Sequence, residues 1–187
     1  NDTVGSDYLF LDNGFVANTL AGNDSLTGTN PGSGSGIDNA GTINTGVGND
    51  TLTGIGDGYG SITNRGNAPN SYGTINTGAG DDLVQALQTN GGIGTFDNAP
   101  NSAADSVGTI QLGSGKDRIK GFGPQSVNGG SGFDTAELGI NFHKSLLALG
   151  TSPTPTSITI GSMAFTNVEN FVFNNGTYSL AQLRALV

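Results

Sequence analysis

Residues Thr42–Gly54 read T-I-N-T-G-V-G-N-D-T-L-T-G, and copies of this stretch organise the chain. The copies are Thr74–Ala86 (T-I-N-T-G-A-G-D-D-L-V-Q-A), Thr109–Gly121 (T-I-Q-L-G-S-G-K-D-R-I-K-G) and, more loosely, Ser126–Leu138 (S-V-N-G-G-S-G-F-D-T-A-E-L). Each copy places a Gly-x-Gly-x-Asp turn between two short triplets with an apolar residue at the centre. Glycine permits the sharp reversal and positive φ of such a turn, and each triplet has the length of a very short strand.

The four copies share one phase. The turn aspartates are Asp50, Asp82, Asp117 and Asp134. Two positions after each aspartate lies an apolar residue: Leu52, Val84, Ile119 and Ala136. Nine positions before each of these lies another apolar residue: Ile43, Ile75, Ile110 and Val127. Each copy therefore consists of two nonapeptides, of which the second carries the aspartate. One such coil cannot bury its apolar face, but stacked parallel coils bury it and pair their backbones. The sequence predicts an all-β fold, a right-handed parallel β-roll or β-helix solenoid with glycine-rich turns and a C-terminal β-rich cap.

The spacing of the copies predicts coils of two widths. Successive turn aspartates are 32, 35 and 17 residues apart. The long periods, with extra apolar centres at Ile62 and Phe96, predict wide, three-sided coils, and the short one predicts a tighter roll near residues 113–134. Residues 28–41, rich in glycine and serine, are predicted to form a long turn. We expect a repeat array over residues 1–138 and a cap over residues 139–187.

The composition limits the classes of partner. The chain has a formal net charge of −9, with 13 aspartates against 2 glutamates, so nucleic acid is an unfavourable partner. It has no cysteine, and no run of 18 apolar residues that would predict a membrane span. Asn1–Val4 has the form of the last part of a repeat, so we expect the chain to be part of a longer protein. His143 is the only histidine, and no common catalytic motif is present, so we predict no enzymatic activity.

The turns have the chemistry of a calcium site. Ca²⁺ takes six to eight oxygen ligands and accepts both carboxylates and backbone carbonyls. One turn provides too few oxygens, so we expect an ion between two stacked turns: residues 113–117 against 130–134, and residues 46–50 against 78–82. The carboxylates Asp57 and Asp81 are further candidate ligands. The predicted metal ligands are Asp24, Gly46, Gly48, Asp50, Gly78, Gly80, Asp82, Gly113, Gly115, Asp117, Gly130, Gly132 and Asp134.

On these motifs, residues from about 20 to 138 resemble the RTX, or haemolysin-type, family of calcium-binding nonapeptide repeats, G-G-x-G-x-D-x-U-x. Residues 168–180 (V-E-N-F-V-F-N-N-G-T-Y-S-L) are similar to a segment that often follows such repeats, with Asn175 where aspartate is common. The resemblance implies a module that folds on binding Ca²⁺ outside the cell. It also implies export by a type I secretion apparatus through an uncleaved C-terminal signal, and a secreted, extracellular or cell-surface location.

Two other interpretations stay open. Outward pairs such as Thr42/Asn44, Thr51/Thr53, Thr74/Asn76 and Ser61/Thr63 could form flat polar ladders, as in an ice- or surface-binding β-solenoid. Threonine is also simply a favourable strand residue. Alternatively, the chain is the non-catalytic tail of an extracellular hydrolase, which the sequence upstream of Asn1 would decide.

Overall fold

The structure, a computed structural model, describes residues 1–12, 14–58, 60–65, 73–97, 107–149 and 154–187. It consists largely of short strands, as the alternation of apolar centres and glycine turns predicts. In chain order they are β1 (Thr3–Ser6), β2 (Leu9–Leu11), β3 (Val16–Asn18), β4 (Ser25–Asn30), β5 (Ile37–Asn39), β6 (Thr42–Asn44), β7 (Thr51–Gly56), β8 (Ile62–Asn64), β9 (Thr74–Asn76), β10 (Leu83–Leu87), β11 (Phe96–Asp97), β12 (Gly108–Gln111), β13 (Ser114–Gly115), β14 (Arg118–Lys120), β15 (Gln125–Asn128), β16 (Ser131–Gly132), β17 (Thr135–Glu137), β18 (Leu147–Ala148), β19 (Ser157–Ile160), β20 (Met163–Thr166), β21 (Asn170–Phe173) and β22 (Gly176–Ser179). The described helices are a 3₁₀ turn at Lys144–Leu146 and α1 (Leu180–Arg184).

The strands stack into three main sheets, which confirms the all-β parallel solenoid. Sheet A has the order β1-β4-β7-β10-β14-β17-β21-β22, sheet B has β2-β5-β8-β11, and sheet C has β3-β6-β9-β12-β15-β20-β19-β18. All neighbouring strands from β1 to β17 pair in parallel, and the described antiparallel strand pairs lie in the C-terminal part. Isolated antiparallel bridges join Arg65 to Val107 and Leu87 to Ile93 within the array. The chain visits sheets A, B and C in turn, so each wide coil is one circuit.

The two predicted coil widths are also confirmed. Circuits such as β4-β5-β6 and β7-β8-β9 have three sides, whereas β14 passes directly to β15 and then β17 without a strand in sheet B. The extra residues of the long periods therefore form sheet B. The long turn predicted for residues 28–41 is wrong, because this stretch contains the end of β4 and the whole of β5. A side chain at Gly36 would overlap the backbone of Ile55, so glycine here permits close packing of coils.

Each sheet contributes one continuous apolar column to the interior. The apolar centres predicted from the repeat are all buried, and Ile62 and Phe96 form the third side with Ile37. Full burial of such side chains stabilises the fold by about 1.5–3 kcal/mol each. The aligned inner residues are Leu26, Leu52, Val84, Ile119, Ala136 and Phe171 in sheet A, and Ile43, Ile75, Ile110, Val127 and Phe165 in sheet C.

The C-terminal residues, for which the sequence predicts a β-rich cap, extend two sheets of the stack and then end it with antiparallel pairs. Strand β20 continues sheet C and β21 continues sheet A. The Asn175-Gly176 signal corresponds to the antiparallel β21–β22 hairpin. Ser179 caps α1 through a reciprocal capping box with Gln182, and Leu183 packs into the core. Part of the proline-containing link, residues 150–153, lies outside the described residues.

Candidate functional site

The Gly-x-Gly-x-Asp turns lie in one column at the corner between sheets C and A. The turns are residues 19–24, 45–50, 77–82, 112–117 and 129–134. Backbone bridges link Ala21 to Val47, Val47 to Ala79 and Ala79 to Ser114, and β13 pairs with β16. Both predicted turn pairs are therefore neighbours, and the column continues without a break between them. Asp50 lies between Asp24 and Asp82 in this order, which the irregular spacing in sequence could not establish.

Glycine at the second and fourth turn positions is required for two reasons. In the turn 77–82, φ is 96° at Gly78 and 136° at Gly80, a region that favours glycine. A β-carbon at either position would also overlap the backbone carbonyl oxygen of Gly46 or Gly48 in the preceding turn. The turns that contain Gly46, Gly113 and Gly130 repeat these conformations. Leu20 has φ of 75° in the turn 19–24 and is the exception among the second positions.

A ladder of side chain to backbone hydrogen bonds joins the turn aspartates, which we call the aspartate column: Asp24, Asp50, Asp82, Asp117 and Asp134. The backbone N–H of each aspartate donates to Oδ1 of the aspartate in the next coil, at 2.8 Å for the first three links and 2.9 Å from Asp117 to Asp134. The N–H of Asp134 donates to Oε2 of Glu169 at 2.8 Å. The column therefore ends on a sixth carboxylate, supplied by the C-terminal cap.

Glu169 is the member of the site that sequence reasoning missed. The notable signal is its distance along the chain: Glu169 lies 35 residues after Asp134, as Asp117 lies 35 after Asp82. Glu169 stands directly before the first residue of β21, just as each turn aspartate stands directly before the first residue of a strand of sheet A. Without flanking glycines, this position does not match the turn motif, so the repeat pattern alone does not identify it.

The second carboxylate oxygen of each column aspartate is buried and unpaired. Among the described residues, Oδ2 of all five has no hydrogen-bond partner, and the five residues are at most 2% exposed. The Thr19 and Thr77 hydroxyls lie close to Asp24 and Asp82 but donate to the backbone oxygens of Thr45 and Leu112. A side chain at Gly129 would lie 2.5 Å from Oδ2 of Asp134, so this oxygen points back into its own turn. Burial of an unpaired charge is costly, and proteins relieve that cost by protonation or by a cation. The aspartate column therefore presents a row of oxygens suited to either.

Burial raises the pKa of the last three aspartates of the column, whereas the Asp2 backbone N–H that bonds to Asp24 lowers the pKa of that carboxyl. Burial raises the pKa of Asp82 to about 6 and that of Asp117 to about 7, and neighbouring carboxylates contribute to both increases. The N–H donated by the preceding aspartate opposes the rise in each case. Burial also raises the pKa of Asp134, with Glu169 adding to the effect. Several like charges in one buried row would repel one another, so the charged column favours a counter-cation.

The other candidate carboxylates lie outside this column. The Asp57 carboxylate accepts hydrogen bonds from the backbone N–H and the hydroxyl of Thr89, which brace a neighbouring coil. Asp81 is exposed, and its Oδ1 accepts the backbone N–H of Lys116 at 2.8 Å. Both carboxylates have structural partners and do not share the unpaired, buried oxygen of the column.

Asp81 belongs to a second ladder, formed by the fifth residue of each turn, which we call the outer column: Asn23, Asn49, Asp81, Lys116 and Phe133. Here the N–H of a later residue donates to Oδ1 of the earlier one, from Asn49 to Asn23, from Asp81 to Asn49 and from Lys116 to Asp81. Lysine offers no side-chain acceptor, so Phe133 N–H instead donates to the backbone oxygen of Gly115.

The donor set fits Ca²⁺ in kind. Carboxylate and carbonyl oxygens are the ligands that this hard cation prefers. No group of three or more His, Cys, Asp or Glu side chains in the described part of the chain is arranged to hold a metal. A calcium site would therefore have to draw on backbone or water oxygens as well as the column carboxylates.

No family model, curated protein or solved structure matches this chain. Among the described residues, no helix is both long enough and apolar enough to cross a bilayer.

Proposed function

We propose that the chain is a calcium-binding structural module of the RTX type, carried by a secreted or cell-surface protein. The observation that carries the proposal is the row of buried, unpaired Oδ2 atoms in the aspartate column. Ions would be held by carboxylates of successive turns, with Gly46, Gly48 and their equivalents giving the turn its shape. The proposed role is structural rather than catalytic.

The physical effect of calcium follows from charge and mass action. Without a cation, the chain must bury a row of carboxylates that repel one another. An ion that binds only the folded chain adds about 1–3 kcal/mol at concentrations well above its dissociation constant. In a chain without cysteine, bound ions would take the stabilising role that disulfides have in many secreted proteins. Low cytosolic calcium would keep the chain unfolded for type I export, and extracellular calcium would fold it.

Calcium titration of the metal-free protein tests this proposal. We expect far-UV circular dichroism to change from unfolded to β-rich, and calorimetry to report Ca²⁺ binding, while Mg²⁺ at equal ionic strength has little effect. Asp50→Asn should weaken the response, whereas Asp7→Asn, at an exposed aspartate outside the column, should leave it intact. Absence of any calcium-dependent change up to about 10 mM, above the range of extracellular sites, would refute the proposal.

A second candidate function rests on sheet C. Its outward residues form two unbroken polar rows over four coils: Thr42, Thr74, Thr109 and Ser126, and beside them Asn44, Asn76, Gln111 and Asn128. The ladder expected on sheet A is interrupted at Leu83, and Ser61 and Thr63 on sheet B are buried, so those pairs do not form exposed ladders.

The regular face of sheet C favours binding to a repetitive polar surface such as ice. Thermal hysteresis of the folded protein tests this candidate, and replacement of Thr74 and Thr109 by lysine should abolish it. A wild-type protein that produces no hysteresis would remove this candidate without affecting the calcium proposal.

A further inference from the structure

The outer column changes chemistry at its C-terminal end. Its first members are the amides or carboxylate Asn23, Asn49 and Asp81, which bridge adjacent turns. Its last members, Lys116 and Phe133, do not continue this bridging by side chains. Phe133 is 57% exposed. Other coils have a polar, bridging side chain at this position. The exposed phenyl ring of Phe133 forms no such bridge, so its environment gives it no stabilising role in the turn.

Positive charge is concentrated at the same place. Three of the six basic residues of the chain, Lys116, Arg118 and Lys120, lie on one coil, although the net charge is −9. They face outward, as alternation along the strand predicts. Arg118 pairs with Glu137 and keeps 55% of its side chain exposed, and Lys120 lies 3.8 Å from the same glutamate. Within the described chain, the Lys116 ammonium forms no ion pair.

A depression of about 410 Å³ lies between these groups. Its wall combines two cations, an aromatic ring and two groups that can bond a hydroxyl with the apolar Val172 and the buried Asp117, which is 1% exposed. Phe133 and Asn170 also line a shallow groove of about 720 Å³ beside α1. The side chains that the argument uses are Lys116, Arg118, Phe133, Thr135 and Asn170. Binding sites for small ligands combine apolar walls with a few polar groups in this way.

We infer that this depression binds an acidic oligosaccharide. A sugar ring would pack against Phe133, its carboxylate or sulfate would contact Lys116 and Arg118, and its hydroxyls would bond to Thr135 and Asn170. Arginine is well suited to planar anionic groups. The acidic remainder of the molecule disfavours a long, densely charged polymer such as nucleic acid. A short charged sugar would contact Lys116 and Arg118, while the Asp117 carboxylate beside them is only 1% exposed. The inference does not rest on calcium binding.

Calorimetric titration with tetragalacturonate and with a sulfated disaccharide tests this inference, with neutral maltotetraose as the control ligand. The folded chain is used in calcium, and each sugar is also titrated into the same calcium buffer without protein, because the acidic sugar itself can bind Ca²⁺. We expect an acidic sugar to bind at least about tenfold more tightly than maltotetraose, since each hydrogen bond to a charged group is worth that much. Raising the salt concentration should weaken binding.

Phe133→Asn and Lys116→Asn are the informative variants, because Asn23 and Asn49 already occupy this turn position. Each should lower the affinity for the acidic sugar about tenfold or more, measured at a calcium concentration at which circular dichroism shows the variant to be folded. Lys144→Gln, an exposed cation in the cap, should bind as the wild type does. Absence of binding by both acidic sugars would overturn the inference, and so would equal binding of maltotetraose or full affinity in Phe133→Asn. Equal binding of hexaglutamate would indicate a nonspecific cationic patch and would overturn the assignment to a sugar.

Discussion

Replacement of Asp117 by asparagine should change stability in opposite directions in the metal-free and the calcium-bound protein. Burial raises the pKa of Asp117 from 3.8 to about 7, so the ionised carboxylate destabilises the metal-free fold near neutral pH. Asparagine keeps an oxygen that can accept the Asp82 N–H, now at 2.8 Å from Oδ1. It removes the charge and, according to the calcium proposal, a metal ligand.

The magnitude follows from the shift in pKa. A pKa unit corresponds to about 1.4 kcal/mol, and after allowance for solvent screening the ionised group costs about 2 kcal/mol at pH 7.5. The buried amide group introduced by this substitution needs a new hydrogen bond, and this requirement offsets about 1 kcal/mol of the stability gained by removing the charge. We therefore expect Asp117→Asn to stabilise the metal-free chain by about 1 kcal/mol at pH 7.5 and to reduce stabilisation by calcium by about 1–3 kcal/mol.

Urea unfolding followed by circular dichroism measures both effects, in EDTA and in 10 mM Ca²⁺. If the metal-free chain is already unfolded at pH 7.5, the EDTA arm is run between pH 5 and 6.5, where the expected gain is smaller. Asp7→Asn is the control, since it removes one charge at an exposed position. Loss of stability in EDTA together with an unchanged calcium response would refute the reasoning, because the carboxylate would then be a purely structural hydrogen-bond acceptor.

Three further results are expected from the same structure. The metal-free wild type should be most stable near pH 4 and lose stability as the pH rises through about 6 to 7, because folded-state pKa values raised above 3.8 favour the protonated fold. Circular dichroism in EDTA across pH 4–8 measures this, and stability that increases with pH would contradict it. Gly80→Ala should destabilise the fold by about 3 kcal/mol or more, since it combines strain at φ of 136° with overlap on Gly48. Gly91→Ala, at φ of 82° in open space, should cost about 1 kcal/mol, and similar urea midpoints for the two variants would be inconsistent with close turn stacking. Glu169→Ala should lower stability by about 1–3 kcal/mol by leaving the Asp134 N–H unpaired, and Glu169→Gln, which keeps an acceptor, should cost less than about 1 kcal/mol; equal losses would show that the acceptor is unimportant.

Much of the fold could be predicted because the determinants are local. The nine-residue phase placed Ile43, Ile75 and their equivalents inward, and the glycines and aspartates at one corner. Residues 28–41 misled because their composition is that of a linker, whereas their glycines permit contact with the next coil. That contact depends on residues distant in sequence, so composition could not reveal it.

Only the part of the site that follows the local repeat could be predicted from the sequence. Its glycines and aspartates follow the local motif, but the order of Asp50 among its neighbours depends on how sheet B accommodates residues between the turns. Glu169 reaches the column through the register of β21 on β17, a pairing between the cap and the last coil. The metal and the export route stay predictions, because they concern partners rather than the chain itself.

The two ladders explain why the turns depend on one another. In a middle turn such as 45–50, the N–H of Asn49 is bonded by Asn23 in the preceding coil, and the N–H of Asp50 is bonded by Asp82 in the following one. Such a turn satisfies its backbone donors only when both neighbours are in place, which makes formation of the stack cooperative. The outer ladder ends at Lys116, where Phe133 N–H bonds to the backbone instead. There the fifth position is released from bridging, and its side chains are free to contact a ligand.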